Sequence, residues 1–452
     1  MPSRQEGYLL IVAAILIVIF GSVAIILSRL FSTDSIGTYL NVRSIQAQYI
    51  AESGLNKAIY GLTTNMPFDK INCVDISGHA DFTNISFGPG HFTVTATEPH
   101  SGQCLLVAKG SVFNENSAEA SRELTQTVLI IPSHGFAVGD KHSSMNTILS
   151  WDSTQWIDAS VSGLEIKNLY GVFVNGFNNV GWAVGNDINV HSSYILKWDG
   201  NGWSIYNIEH FDDQDLRVLF CVSSTYCMAA GEKRIVFVLQ GSEWTQLMSP
   251  PIRSSASLLS VSCPGVDNCY VVGKREDNDL LVLHWNGSSW VREWITGETS
   301  AQDLLSVSCS SADHCWAVGS QRKFVRKTAS GWQQYNDVSS LPSKNYNAVF
   351  CVSDDDCWAG GVRDGGNVLL VHWDGNTWSQ VTPSTSQHEN VNAIHCQSSN
   401  LCFAGGDKDM LLEYDGSNWH DANTVGIGNW NINAVYTVKQ SYSISKWAEV
   451  IN

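Results

Sequence analysis

A short hairpin signature recurs seven times toward the C-terminal end, closing on Trp156, Trp203, Trp244, Trp290, Trp332, Trp378 and Trp419 at intervals of 41 to 47 residues. A unit of that length cannot bury its own apolar face, so successive copies must stack on one another. The copy from Leu258 to Trp290 shows what each contains: LLSVSC, CYVVG and LLVLHW are strand-like runs, PGVDN and KREDND separate them, and NGSS makes a tight turn into a further strand at Trp290. The turn glycine suits the positive φ that a two-residue hairpin needs. Tryptophan at such a position is expected to pack between units rather than to stack on a ligand.

Four antiparallel strands in about 45 residues is the size of a propeller blade. Second strands ending in Gly number seven, from HGFAVG at His134 to CFAGG at Cys402. First strands also number seven, from LYGVFV at Leu169 to INAVYT at Ile432. The first unit thus lacks an inner strand and the chain's end supplies a spare one, so Ile432 to Val438 is expected to lie beside His134 to Gly139 and remove an open sheet edge.

Twelve cysteines accompany the repeat. Five pairs share C-x5-C spacing: Cys221 with Cys227, Cys263 with Cys269, Cys309 with Cys315, Cys351 with Cys357, and Cys396 with Cys402. Each pair ends one strand and starts its antiparallel neighbour, which brings opposed Cβ atoms within disulfide range. Cys73 and Cys104 remain to pair with each other. Neither C-x2-C spacing nor a His cluster is present, so no metal is expected. G-x-S-x-G, H-E-x-x-H and phosphate-cradling loops are also missing, and the chain reads as a binder without cofactor rather than an enzyme. Asp212-Asp213 and Asp354-Asp355-Asp356 lack the alternation of a calcium loop and read as solvated turns.

The formal charge of -17 repels phosphate backbones and argues against nucleic acid as a partner. Within this acidic chain, Lys141, Lys233, Arg234, Lys274, Arg275, Arg322, Lys323, Arg363 and Lys408 all fall in loops between second and third strands. These loops lie opposite the cysteine turns and vary from unit to unit. They form the candidate binding face, for a surface, a glycan or a protein.

At the other end of the chain, Tyr8 to Ser28 is an unbroken apolar run, long enough to cross a hydrocarbon layer of roughly 30 Å as a helix. Arg4-Gln5-Glu6-Gly7 precedes it, and SIQAQYIAESGLNKAIYGL from Ser44 to Leu62 continues with helical periodicity. Strand-like HFTVTATE, CLLVAKGSVF and SRELTQTVLII follow.

These segments resemble type IV minor pilins of the PilX and MshP type. The resemblance implies cleavage by prepilin peptidase between Gly7 and Tyr8, N-methylation of Tyr8, a stem helix over 8–62 that spans the membrane at 8–28 before assembly, and an α+β head over 63–132. Val12 stands where most major pilins carry Glu, which resembles the subunits that start or cap a fibre. The repeat region, 133–452, resembles secreted bacterial propellers with W-D-G-x-x-W hairpins, and its turn is similar to the Asp box of sialidase-type propellers. A sialidase's arginine triad and Tyr/Glu pair have no counterpart placed here.

The expectation is therefore a leader at 1–7, a long helix with an α+β head, and an all-β seven-bladed propeller closed by the C-terminal strand. The implied function is a pilus-tip minor pilin presenting a propeller for adhesion or partner binding. Its implied partners are other major and minor pilins through the N-terminal helix, with residence in the inner membrane before assembly and in an extracellular pilus afterwards. The alternative is a membrane-anchored periplasmic propeller scaffold or a lyase- or hydrolase-like enzyme.

Overall fold

The computed structural model describes residues 38–60, 62, 73–100, 103–114, 117–131, 134–142, 145–162, 164, 168–176, 179–187, 192–206, 215–276, 279–298, 302–426, 428–439, 441–444 and 448–450. The chain divides into two compact units, Met1–Ile131 with Ser441–Asn452, and Pro132–Gln440.

In the first unit, residues 38–60 and 62 are helical. Ala47, Ile50, Ala51, Leu55, Ala58 and Leu62 recur at helical spacing and are buried on one face, against Phe92, Val94, Leu106, Ala108, Leu124 and Val128 of an antiparallel sheet. Small residues set the approach. A Cβ on Gly110 would stand 2.2 Å from the Ala47 carbonyl oxygen and 2.5 Å from the Ala51 nitrogen, so helix backbone touches sheet backbone there. The Cys73–Cys104 disulfide ties the short helix Cys73–Ile76 to the strand Gln103–Asn114.

Two expectations are corrected in this unit. Its sheet is larger than the three strands read from sequence, because Ile85–Phe87 adds one edge and the chain's last segment adds the other. Ser441–Ile444 and Ala448–Val450 both pair with Ser117–Ile131, so the C-terminal residues belong here and not to a repeat domain running to 452. Alternation in Ser441-Tyr442-Ser443-Ile444 is the local reason that this segment extends as a strand.

The transmembrane helix is corrected too. Among the described residues no helix is long and apolar enough to cross a membrane, and the inner-membrane and pilus placement inferred from such a helix is not retained. Gly7, Tyr8, Val12 and the apolar run 8–28 lie outside the described residues.

The second unit is propeller-like. Among the described residues it contains seven small sheets of four or five strands, antiparallel except for a short parallel edge strand in each five-stranded one. We number the sheets by their inner strands: Ile432–Val438 in sheet 1, then Asn168–Val174, Leu216–Ser223, Leu258–Gly265, Leu304–Ser311, Tyr346–Ser353 and Val391–Ser398 in sheets 2 to 7. In sheet 1, Ile432 pairs with Gly139 and Val438 with His134, so the last strand of the unit sits beside its first.

Apolar cores separate the sheets. Between sheets 5 and 6, for instance, Trp316, Val318 and Phe324 meet Tyr346, Val349, Trp373 and Trp378. Phe403 and Leu411 of sheet 7 meet Ala137, Leu149, Trp151 and Trp156 of sheet 1, while Phe136 and Ile148 of sheet 1 meet Leu169, Val172 and Trp203 of sheet 2. Each inner strand also packs on the next, and the strand of sheet 1 touches those of sheets 7 and 2. The hairpin tryptophans named above are all buried in these cores, each removing an area that makes truncation to Ala cost about 3–5 kcal/mol.

In sheet 6 the hairpin tryptophan reaches the cysteine turn. Trp373 Nε1 donates to the Asp354 carbonyl at 3.2 Å, and Trp198 Nε1 to Asn179 Oδ1 at 3.1 Å. All five C-x5-C pairs are disulfides.

Candidate functional site

Residues of the inner strands line a cavity of about 680 Å³. What faces it is governed by an irregularity repeated in every sheet, a skip in strand register at the second core position of the inner strand. Such a bulge leaves one residue unpaired and re-aims its side chain. The residues so displaced are Tyr170, Arg217, Leu259, Leu305, Asn347, Asn392 and Asn433, and all seven line the cavity and are half-buried. The ring is uneven. Three consecutive sheets contribute Asn, the next two contribute Tyr170 and Arg217, and the last two contribute Leu.

A latch holds the polar members. Asn392 Nδ2 donates to Asp407 Oδ1 at 2.8 Å and to the Ile432 carbonyl at 3.4 Å. Asn433 Nδ2 repeats this one sheet on, donating to Asp140 Oδ1 at 2.8 Å and to the Leu169 carbonyl at 3.1 Å. The same two carboxylates accept from Asn390 at 2.7 Å and from Asn431 at 2.9 Å. Asn347 Nδ2 donates to the Val391 carbonyl at 2.9 Å. In sheet 3 the arrangement is ionic: Arg217 meets Asp215 at 3.1 Å and Glu232 at 2.7 Å, with its guanidinium carbon 4.8 Å from the Tyr170 ring centroid. Burial opposes that charge, but Tyr170, Glu232 and Asp215 outweigh it and hold the guanidinium pKa above its ordinary value.

Three residues after the bulge on each inner strand, the cavity is lined by Phe173, Phe220, Ser262, Ser308, Phe350, His395 and Tyr436. Ser262 and Ser308 accept backbone N–H groups from Cys309 and Cys351 of the next sheets at 3.0 and 2.9 Å. His395 lies between Phe350 and Tyr436, with ring centroids at 4.7 and 4.3 Å. Burial pushes its pKa down to about 3, and its Nδ1 accepts the Thr437 N–H, so the ring is a neutral packing element.

The basic loop residues occupy different ground. Arg234 donates to the Ile252 carbonyl at 2.6 Å and Arg322 to the Leu341 carbonyl at 2.6 Å, so both guanidinium groups cap the connection leading to the next sheet. Arg363 does likewise with the His388 carbonyl at 3.0 Å. Lys323 is 6% exposed and donates to Gln334 Oε1 at 3.2 Å; burial lowers its pKa and the field of Glu298 offsets part of that. It sits with Arg322 in a recess of about 220 Å³. Lys408 pairs with Glu389 at 2.9 Å. Lys233 and Lys274 are exposed, and the side chain of Arg275 lies outside the described residues. Arg234, Arg322 and Arg363 thus each brace the connection between one sheet and the next.

Among the described residues no cluster of His, Cys, Asp and Glu has the makings of a metal site. Asp354 pairs with His314 at 3.0 Å and Asp356 with His372 at 2.8 Å, while Asp212 and Asp213 lie outside the described residues.

The latched ring went unread in the sequence, although its signal is there. The triplets Asn345-Tyr-Asn347, Asn390-Val-Asn392 and Asn431-Ile-Asn433 open three successive inner strands.

No family model and no curated protein matches this chain. Among solved structures it is similar to YCF48 bound to a D1 peptide, at 15% identity over 64% of this chain and 94% of that one, with a TM-score of 0.47. It is also similar to U3-55K, at 11% identity over 59% and 84% with a TM-score of 0.46. A third is virginiamycin B lyase from Staphylococcus aureus, at 11% identity over 62% and 94% with a TM-score of 0.44. At these identities the likeness concerns a propeller-like fold alone, and no residue role or activity is carried across.

Proposed function

We propose that Pro132–Gln440 is a closed seven-bladed β-propeller that acts as a non-catalytic binding scaffold, taking its ligand at the axial cavity. The observation that carries this reading is the uneven ring of half-buried residues at the repeated bulge. A ring serving only to pack would bury its polar groups in mutual hydrogen bonds or replace them by apolar side chains. This one keeps an arc of amides, a stacked Tyr–Arg pair and two leucines around an open volume, the combination of apolar wall and few fixed polar groups that favours a bound ligand. The scaffold branch of the alternative reading fits these residues better than a catalytic one. His395 is enclosed between aromatic rings, and Arg217 is spent on two carboxylates.

Filling the ring tests the reading. The full chain and its Leu259→Trp/Leu305→Trp variant are screened side by side on peptide and glycan arrays. The expected result is a set of ligands retained by the parent and lost by the variant at unchanged thermal stability. Equal retention by both proteins contradicts the reading.

A further inference from the structure

We infer that the cavity receives a cationic donor group, a primary ammonium or guanidinium such as a lysine or arginine side chain offered by a polypeptide; this deepens the scaffold reading and rests on it. Asn347, Asn392 and Asn433 form one arc of the cavity wall. Among the described residues, every partner of their side chains is an acceptor: the carbonyls of Val391, Ile432 and Leu169 and the carboxylates of Asp407 and Asp140. Only the NH2 group can face an acceptor, so the orientation of each amide is chemically forced. The opposite atom, Oδ1, is then held in place as an acceptor, and among the described residues nothing donates to it. Three successive inner strands thus supply three fixed acceptors to a cavity-lining arc.

Charge points the same way. Asp140 and Asp407 stand directly behind two of these amides and accept from Asn side chains instead of meeting a cation, and among the described residues neither forms an ion pair. Hydrogen bonds from neutral amides orient a carboxylate without cancelling its charge. On the far side of the ring, Arg217 is matched by two carboxylates, Asp215 and Glu232, leaving no net positive charge there to repel a cation. Lys141 follows Asp140 and Lys408 follows Asp407, and each tempers the field at its carboxylate; the Lys141 backbone N–H is held by Asn168, and the Lys408 ammonium is paired with Glu389 at 2.9 Å. Leu259 and Leu305 complete the ring with an apolar wall suited to the methylene stem of a long basic side chain.

The test uses the full chain and three fluorescent octapeptides of Gly and Ser with a single central Lys, norleucine or Glu, read by anisotropy. The inference expects the Lys peptide to bind at least about tenfold more tightly than the norleucine one, the Glu peptide not at all, and the Lys affinity to fall about threefold or more between 50 mM and 500 mM salt. Asn347→Leu, which loses one acceptor and the fewest internal bonds, should weaken the Lys peptide at least about fivefold, with thermal melts reporting whether the fold is kept. Should that variant unfold, the ranking of the three peptides on the parent chain decides alone. Equal binding of all three peptides, abolished by Leu259→Trp/Leu305→Trp, overturns the cationic ligand while sparing the cavity. Binding that survives the double Trp variant overturns both, and no binding of the Lys peptide overturns the inference.

Discussion

Single side chains in this protein mostly act across a sheet boundary. Asn433 joins a carboxylate of its own sheet to a carbonyl of the next, so Asn433→Ala leaves Asp140 and Leu169 each short of a donor. An expected loss of about 1–3 kcal/mol in chemical denaturation follows from the desolvated acceptors. The turn carboxylates behave differently because they are exposed. Asp152 is held at about 2 by the Thr154 hydroxyl and the N–H groups of Gln155 and Thr154, and Asp415 at about 2 by the Ser417 hydroxyl and the N–H groups of Asn418 and Ser417. A carboxyl whose folded pKa is depressed stabilises the fold above its unfolded value near 4 and loses that contribution as pH falls toward 2. Melting temperature should therefore drop between about pH 4 and pH 2, and Asp152→Asn with Asp415→Asn should flatten that part of the profile. An unchanged slope in the double variant would assign acid sensitivity to other groups.

Elements carry the next layer. Each C-x5-C pair closes a short loop, and in chain-entropy terms contributes about 2 kcal/mol. Cys309→Ser/Cys315→Ser should lower stability by roughly that amount and leave ligand binding in place, since the bridge lies at the other end of the inner strand from Leu305. In the first unit, Gly110→Ala should cost about 3 kcal/mol or more, because the new methyl would meet backbone atoms of the helix that cannot rotate away. Strand order and cysteine pairing were legible in sequence because both follow from local alternation and from residues opposed across one hairpin. The contacts of the basic loops were not legible for a corresponding reason. Composition shows where Arg234 and Arg322 fall but not that each guanidinium points back to a carbonyl 18 or 19 residues along, in the connection to the next sheet. The bulge escaped as well, since a register skip depends on the neighbouring strand and leaves only the faint N-x-N signature behind.

At the scale of the molecule, the chain enters the propeller-like unit after Ser117–Ile131 and leaves it into Ser441–Ile444, which pair with each other in the first unit's sheet. Sequence periodicity located the repeats but ran past this return, since a four-residue strand carries too little pattern to declare which sheet it joins. Ligand binding is proposed at the bulge ring around the cavity. Hydrogen–deuterium exchange of the full chain with and without the Lys octapeptide addresses it directly. Slowed exchange is expected in the inner-strand peptides containing Asn347, Asn392 and Asn433, with the loops at Lys233 and Lys274 and the exposed Trp294 unchanged. Protection confined to those loops or to the outer edge near Trp294, with the inner strands unaltered, would contradict it.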